Sequence, residues 1–246
     1  GFMDADLTEK FIHAFQEMGG TWLGEKKVSK VEWDGLSQVV TTCEDGTIVK
    51  SSKLLCAAGR EANVKDLDLA TAGLVLNDHG NISVDELLQT QVPHIYAAGD
   101  VIGPPSLASA SMEQGRRASC NALGIGVGPM STTIPSGIYG IPELSAVGLT
   151  EQQANKQHGK VTIGRANFEE ISRGQINGIR DGMLKIICDE HGEKILGVQI
   201  VGEGATELIH IGQMAMLSNS NVDIFVESIF NFPTLAEAYR VAALAV

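Results

Sequence analysis

Cysteine is scarce in this sequence, and no two cysteines lie close together. The four residues are Cys43, Cys56, Cys120 and Cys188, and none belongs to a Cys-x-x-Cys pair. A structural zinc site needs closely spaced ligands, and a disulfide framework is typical of short secreted chains. The six histidines add no ligand spacing. The sequence therefore predicts reduced thiols and no metal site.

Basic residues and long apolar runs are also few. Lysine and arginine total 18 against 30 aspartates and glutamates, a formal net charge of −12. A nucleic-acid partner is not expected, because binding phosphates requires a surface rich in Lys and Arg. No apolar run reaches the roughly 18 residues of a membrane span, and no basic-then-apolar signal pattern opens the chain. These absences predict a cytoplasmic protein that does not bind membranes.

What the sequence does contain is typical of a globular protein with two or three domains. Apolar residues make up 43% of the 246 positions and charged residues 20%. The first region, residues 1–60, is predicted to begin with a helix capped by Asp6. Three strands should follow, joined by the hairpin dipeptides at 34–35 and 45–46. The stretch KLLCAAGR, residues 53–60, is predicted to be a buried strand.

The second region, residues 61–130, contains one short apolar stretch and one helix. Residues 95–98 are predicted to form a central parallel strand, because they are too apolar for an exposed one. A helix is predicted over 106–123, and the glycine-rich segment at 124–130 is a candidate boundary. The third region, 131–246, has paired strands near 136–148 and 183–202 and then helices, which is typical of an α+β domain.

Within the third region, two helices carry clear signals. Thr150 is predicted to cap a short helix. The helix predicted at 203–218 is apolar on nearly every face, which indicates burial in the domain or against a second subunit. We therefore predict an α/β fold with a parallel sheet plus an antiparallel meander, followed by a separate α+β domain.

The segment HIYAAGDVIGPPSLASAS places one acid at the end of an apolar strand and very small residues at the start of a helix. A carboxylate at such a strand end can accept hydrogen bonds from hydroxyls, and the first turn of a helix offers unpaired N–H groups. Asp100 and the residues from Ser106 to Ser111 are thus candidates for a nucleotide site. The alternative is that Asp100 forms a turn and the small residues allow close helix packing.

The segment TQVPHIYAAGDVIGPPSLASASMEQGRRA resembles the second flavin-binding motif of the FAD-dependent pyridine nucleotide–disulfide oxidoreductases, which include lipoamide dehydrogenase and glutathione reductase. The segments IPSGIYGIPELSAVGLTEQQA and FNFPTLAEAYRVAAL resemble the soluble pyridine nucleotide transhydrogenase branch of that family. The resemblance implies an oxidoreductase that uses FAD and passes a hydride between NADPH and NAD. It also implies a homodimer, and a disulfide reductase of the same family is the alternative.

The resemblance also implies roles for individual residues. Asp100 would bind the ribityl chain of FAD, and Gly99 would give it clearance. Gly59 would approach the nicotinamide cofactor, and the amides at Leu107, Ala108 and Ser109 would face the N1/O2 edge of the flavin. No catalytic side chain is assigned. The domains implied are the C-terminal part of an NAD(P)-binding domain (1–60), the second segment of an FAD-binding domain (61–130) and an interface domain (131–246).

Two features depart from the family pattern. The G-x-G-x-x-G fingerprints are absent, since the GIGVG at 124–128 follows a helix rather than a strand. We therefore expect the chain to be about the C-terminal half of a longer protein, and expect this half alone to be inactive and only a dimerisation module. The disulfide reductases also carry His-Pro-Thr-x-x-Glu, where Phe232 now replaces the histidine. A phenyl ring cannot accept a proton, whereas hydride transfer between nicotinamides needs no such base.

Overall fold

The computed structural model describes residues 2–246, and the chain divides into two compact units. One unit runs to Trp22 and resumes at Ser131, and the other spans Leu23–Met130. The chain thus passes between the units at two places. The domain boundaries that the resemblance implies stay a prediction.

The first unit is built on a five-stranded antiparallel sheet. Its strands are β4 (Ser136–Ile138), β5 (Leu144–Gly148), β6 (Val161–Asn167), β7 (Met183–Asp189) and β8 (Ile195–Val201). They lie in the order β4-β5-β8-β7-β6. The central strands, β7 and β8, are apolar at nearly every position and are buried on both faces.

Helices cover both faces of this sheet. On one face, Leu184, Ile186 and Val198 join the main core with residues of α5, α6 and α7. On the other face, α1 and α3 pack over Met183 and Ile187. The helices of this unit are α1 (Ala5–Glu17), α3 (Glu151–His158), α4 (Ser172–Asn177), α5 (Ala205–Leu217), α6 (Asp223–Glu227) and α7 (Glu237–Ala243).

The second unit contains the predicted meander and one long helix. Strands β1 (Val28–Trp33), β2 (Val39–Cys43) and β3 (Ile48–Ser51) form an antiparallel sheet in chain order. The helix α2 (Ala108–Ala122) lies within the range predicted for it. Both hairpins form as the Asp-Gly turns predict, because side-chain oxygens of the two turn aspartates bind the amides of the turns.

Two predicted strands are wrong. Residues 53–60 form no strand and are exposed, and residues 95–98 form only an isolated antiparallel bridge between Gln89 and Tyr96. All strand pairs among residues 2–246 are antiparallel, so the predicted parallel sheet is also not formed. The reason is physical: a strand is stable only when neighbours satisfy its N–H and C=O groups, and no described strand lies beside either stretch.

Helix signals are confirmed with small shifts. α1 begins at Ala5, and its N-cap is Asp4 rather than Asp6. Thr150 caps α3 in a capping box with Gln153, as its sequence spacing indicates. The predicted apolar helix is α5, which buries Ile209 and Ala215 and leaves Met214 exposed. Strand β6 and the short helices α4 and α6 were not predicted.

Candidate functional site

Gly99 lies in close contact with α2. It has a φ of +83°, a conformation that favours glycine, and its amide donates to the buried side chain of Gln114 at 2.8 Å. A Cβ added at Gly99 would lie 3.4 Å from Oγ of Ser111. The backbone before Asp100 is therefore held in one position by the helix that follows it.

Asp100 begins a short 3-10 turn, Asp100–Ile102, and its carboxylate is 39% exposed. The side-chain partner of this carboxylate is Arg60, whose Nη1 donates to Oδ2 at 3.3 Å. The guanidinium is 84% exposed, so this contact is weak and leaves lone pairs of the carboxylate available. Because Arg60 directly follows Gly59, this ion pair brings the loop that carries Gly59 close to the side chain of Asp100.

The start of α2 presents free backbone donors. Leu107 is the N-cap and makes no side-chain cap, and within residues 2–246 the amides of Ala108, Ser109 and Ala110 donate to no acceptor. Ala108 and Ser109 are exposed. The first turn of a helix carries unpaired N–H groups and the positive end of its dipole, which attract an electron-rich ligand edge.

These features suit a ligand with both hydroxyls and a polar acceptor edge. The carboxylate of Asp100 can accept hydrogen bonds from hydroxyls, as a ribityl or ribose chain presents them. The small, exposed side chains at Ala108 and Ser109 allow a flat ring to lie near the amides. The residues present thus fit the flavin groups that the resemblance implies. Sequence reasoning missed Arg60, because no local pattern links it to an acid so far along the chain.

Phe232, in the FNFPTLAEAYRVAAL segment near the end of the chain, has a side chain that is 72% exposed. The carbonyl oxygen of the next residue, Pro233, accepts two hydrogen bonds from Arg173. The carboxylate of Glu237 accepts from the amide of Thr234 at 3.3 Å. The backbone around Phe232 is therefore fixed while its ring faces away from the unit that carries it. Arg173 was not singled out from the sequence, since a lone arginine on a short helix carries no signal.

The remaining histidines, cysteines and acids form no metal centre in the part of the chain that the structure describes. No group of three or more His, Cys, Asp or Glu residues there could hold a metal ion. His210 is exposed and bonds the side chain of Gln213 at 2.9 Å. The four cysteines are free thiols, and burial raises the pKa of Cys188 to about 12. No helix among residues 2–246 has both the length and the apolar character needed to cross a membrane.

Two family descriptions match this sequence. "Pyridine nucleotide-disulphide oxidoreductase" matches residues 1–115. "Pyridine nucleotide-disulphide oxidoreductase, dimerisation domain" matches residues 134–243. Together they include the Gly99–Asp100 turn, the start of α2 and the segment that carries Phe232.

Curated relatives are similar along nearly the whole chain. A soluble pyridine nucleotide transhydrogenase of Mycobacterium bovis is 41% identical over 243 residues, which cover 99% of this chain and 52% of the relative. A protein of the same name from Citrobacter koseri is 41% identical over 249 residues, covering 99% of this chain and 53% of that protein. The chain therefore spans about half the length of these relatives.

Solved structures share the fold. LpdA from Mycobacterium tuberculosis superimposes with a TM-score of 0.88 at 28% identity, covering 98% of this chain and 52% of that one. The HOCl-induced flavoprotein disulfide reductase RclA from Escherichia coli gives a TM-score of 0.90 at 26% identity, covering 100% of this chain and 56% of that one.

Proposed function

The chain belongs to the pyridine nucleotide–disulphide oxidoreductase family, and from this membership we propose that it is part of an FAD-dependent transhydrogenase. The enzyme passes a hydride between NADPH and NAD. The names of the relatives support this assignment, since those from Mycobacterium bovis and Citrobacter koseri are both soluble pyridine nucleotide transhydrogenases. FAD, when bound, supplies a two-electron hydride relay between two nicotinamides.

The protein's own residues bind and orient these cofactors. Asp100 would accept hydrogen bonds from the ribityl hydroxyls of FAD, while Gly99 would leave room for that chain. The amides of Ala108 and Ser109 at the start of α2 would face the electron-rich edge of the flavin, whereas the amide of Leu107, also predicted for this role, donates to the carbonyl of Pro105 at 3.0 Å. Gly59 would lie on the nicotinamide side, where a glycine with a φ of +124° would let the backbone approach the cofactor without a side chain between them.

The observation that carries the choice of reaction is the phenyl ring of Phe232. A disulfide reductase needs a group that donates and accepts protons for its thiols, and a phenyl ring can neither donate nor accept one. Hydride transfer between nicotinamides requires positioning rather than a base at this point.

The alternative function is disulfide reduction, and one comparison favours it. The similar Escherichia coli protein RclA is a flavoprotein disulfide reductase. The two functions differ in one chemical requirement, since a disulfide reductase carries a redox-active cysteine pair beside the flavin. None of the four cysteines of this chain forms such a pair. A Cys-x-x-x-x-Cys pair in the rest of the full-length protein would favour disulfide reduction.

We propose the remaining organisation on the same basis. Residues 1–60 are the C-terminal part of an NAD(P)-binding domain, 61–130 are the second segment of an FAD-binding domain and 131–246 are the interface domain of a cytoplasmic homodimer. The exposed Met214 and Leu217 of α5 support an interface there, because a monomer gains nothing by presenting them to water. The 246-residue chain by itself should dimerise without binding FAD tightly or turning over.

The direct test measures hydride transfer in the full-length protein. Reduction of a NAD analogue by NADPH should be fast and should need bound FAD, whereas lipoamide and glutathione disulfide should not be reduced. Reduction of either disulfide without transfer between nicotinamides would overturn the proposal. Asp100→Ala should release FAD on dialysis, and Asp85→Ala, which alters another loop of the same unit, should keep it.

A further inference from the structure

Lys185 is an unusual residue in this fold. Its side chain is 1% exposed, and among the described residues no other charged side chain is buried as deeply. It lies in the middle of β7, on the face that packs against α1 and α3. Burying an ammonium is costly unless charged partners surround it, so the groups that face it reveal why it is there.

Three carboxylates surround the ammonium of Lys185. Nζ lies 2.9 Å from Asp4, 3.1 Å from Asp6 and 2.8 Å from Glu151. Arg165 on the neighbouring strand completes the group, with its Nε 2.9 Å from Asp6 and its Nη2 3.4 Å from Glu151. The five charges nearly balance, and two of the three acids come from the start of α1.

Asp4 makes further contacts that tie the start of α1 to the unit. Both of its carboxylate oxygens accept the amide of Glu151, each at 3.1 Å, so this side chain binds the first turn of α3. The amide of Asp4 donates to the buried side chain of Gln199 at 2.8 Å. Asp4 is the N-cap residue of α1, yet its side chain does not cap α1. Its hydrogen bonds serve the contact with the sheet instead.

The cluster is chemically suited to holding a segment rather than to reacting. Burial opposes the charge on Lys185, but the hydrogen bonds that its ammonium donates to Glu151, Asp4 and Asp6 outweigh burial and raise its pKa. A lysine acting as a nucleophile or base needs the opposite shift. Lys185 therefore stays protonated and serves as a fixed cation for two acids of α1.

Helix α1 lies at a junction between two parts of the protein. In sequence it falls within the match to the oxidoreductase domain, residues 1–115, and outside the match to the dimerisation domain, residues 134–243. In space it packs on the sheet of the dimerisation domain, with Leu7 buried against Met183 and Val201. After Trp22 the chain enters the other compact unit.

We propose that Lys185 is the anchor of an intramolecular docking site that holds the Asp4–Asp6 segment, and that α1 thereby ties the oxidoreductase sequence to the dimerisation sheet. The apolar contact of Leu7 supplies attraction without direction, whereas the charged cluster fixes where the segment lies. This docking goes beyond the proposed transfer reaction and does not depend on it.

The test is hydrogen exchange in the 246-residue chain, followed by mass spectrometry. The double variant Asp4→Asn/Asp6→Asn keeps the shapes of the side chains and removes two charges. Exchange in α1 should accelerate at least about tenfold, because hydrogen bonds to charged groups are among the stronger ones, while β7 and β8 stay protected. The matched control is Lys160→Met, which removes an exposed pair with Glu190 just outside the start of β6 and the end of β7 and should leave α1 unchanged.

Two results would overturn the docking site. One is unchanged exchange in α1, and the other is an equal acceleration in α1, β7 and β8, which would mean that the cluster supports the whole unit. Lys185→Met gives an independent measurement. Its effect on the unfolding midpoint should be smaller in the double variant than in the unmodified chain, since the asparagines leave fewer acids without a partner. Equal effects in both backgrounds would contradict the anchor role.

Discussion

The guanidinium of Arg173 and the carbonyl oxygen of Pro233 are joined by two hydrogen bonds, one of 3.1 Å from Nε and one of 3.0 Å from Nη2. The two residues are 60 positions apart, and one lies on α4 while the other directly follows Phe232. The planar guanidinium presents both donors in a fixed geometry, which a lysine cannot reproduce. This contact sets the backbone position of the segment that carries Phe232.

Replacing Arg173 should therefore loosen that segment. Arg173→Gln should lower the free energy of unfolding by about 1.5–3 kcal/mol, the range for hydrogen bonds to charged groups. Urea unfolding of the 246-residue chain measures the change. Arg180→Gln, at an exposed arginine after α4, is the control and should have little effect. Equal stability of the two variants would show that the contact with Pro233 contributes nothing.

Phe232→His in the full-length protein should not create a disulfide reductase. The side chain is exposed, so the imidazole fits without repacking, and transhydrogenation should stay within about tenfold of its original rate because hydride transfer needs positioning rather than a base. Assays with NADPH and either a NAD analogue or lipoamide measure both activities. Lipoamide reduction appearing on this single change would mean that a redox-active disulfide lies elsewhere in the protein.

Ala108→Leu in the full-length protein should weaken FAD binding without affecting the dimer. The added bulk lies at the exposed first turn of α2, where the ring of the ligand must come close to the amides. Overpacking of this kind costs about 1–3 kcal/mol, or roughly five- to 150-fold in affinity. Fluorescence titration with FAD measures it. Ala122→Leu, in the last turn of the same helix, should bind normally, and normal binding by both variants would make the small residues a packing feature.

How far the sequence predicts this fold depends on whether a signal is local. The helix cap at Thr150 and the two Asp-Gly hairpins are formed by residues a few positions apart, and all three were correctly predicted. Residues 53–60 have the apolar composition of a buried strand but form none. Composition describes what a strand needs, and pairing depends on neighbours that the stretch itself does not specify.

The candidate site divides in the same way. Gly99, Asp100 and the small residues of α2 lie within one short segment, so their proximity could be predicted. The partner of Asp100, Arg60, lies 40 positions away, and Asp6 meets Lys185 across 179 positions. Such contacts arise only when strands and helices have been placed in three dimensions. Nothing in the surrounding sequence of Lys185 indicates that its ammonium is buried.

Acid should weaken the docking of α1 in a way that depends on Asp6. Burial tends to raise the pKa of this carboxyl, but Arg165 and Lys185 outweigh burial and hold it below its ordinary value of 3.8. Because the pKa of Asp6 is lower in the folded chain than in the unfolded one, its ionised carboxylate stabilises the fold at pH values above 3.8. This stability is lost as the pH falls through the lowered pKa of the folded chain.

The measurement is the free energy of unfolding of the 246-residue chain between pH 5 and about pH 2.5. The unmodified chain should lose stability more steeply than Asp6→Asn, which has no proton to gain at this position. Asp78→Asn, at an exposed aspartate of the other unit, should follow the unmodified chain. Parallel curves for all three proteins would show that Asp6 is not coupled to folding.

The hydroxyl of Tyr239 should stabilise α5 from the neighbouring helix. It donates to the carbonyl of Leu208 at 2.8 Å and accepts the amide of Gly212 at 3.1 Å, two groups one turn apart in α5. Tyr239→Phe should lower the free energy of unfolding by about 1 kcal/mol, since both backbone groups can still pair with each other. Tyr139→Phe, at a side chain that is 84% exposed, is the control and should change nothing.

Alkaline titration distinguishes this role from simple packing. Burial raises the pKa of the Tyr239 phenol above its ordinary value of 10, although the hydrogen bond from Gly212 works in the opposite direction. Above pH 10 the unfolded chain releases this proton while the folded chain retains it, so stability falls as the pH rises toward the folded pKa. The unmodified chain and Tyr139→Phe should both lose stability above pH 10 more steeply than Tyr239→Phe. If the stability of Tyr239→Phe fell equally steeply with pH, the Tyr239 phenol would ionise as readily in the folded chain as in the unfolded one. The burial of this phenol against α5 would then be wrong.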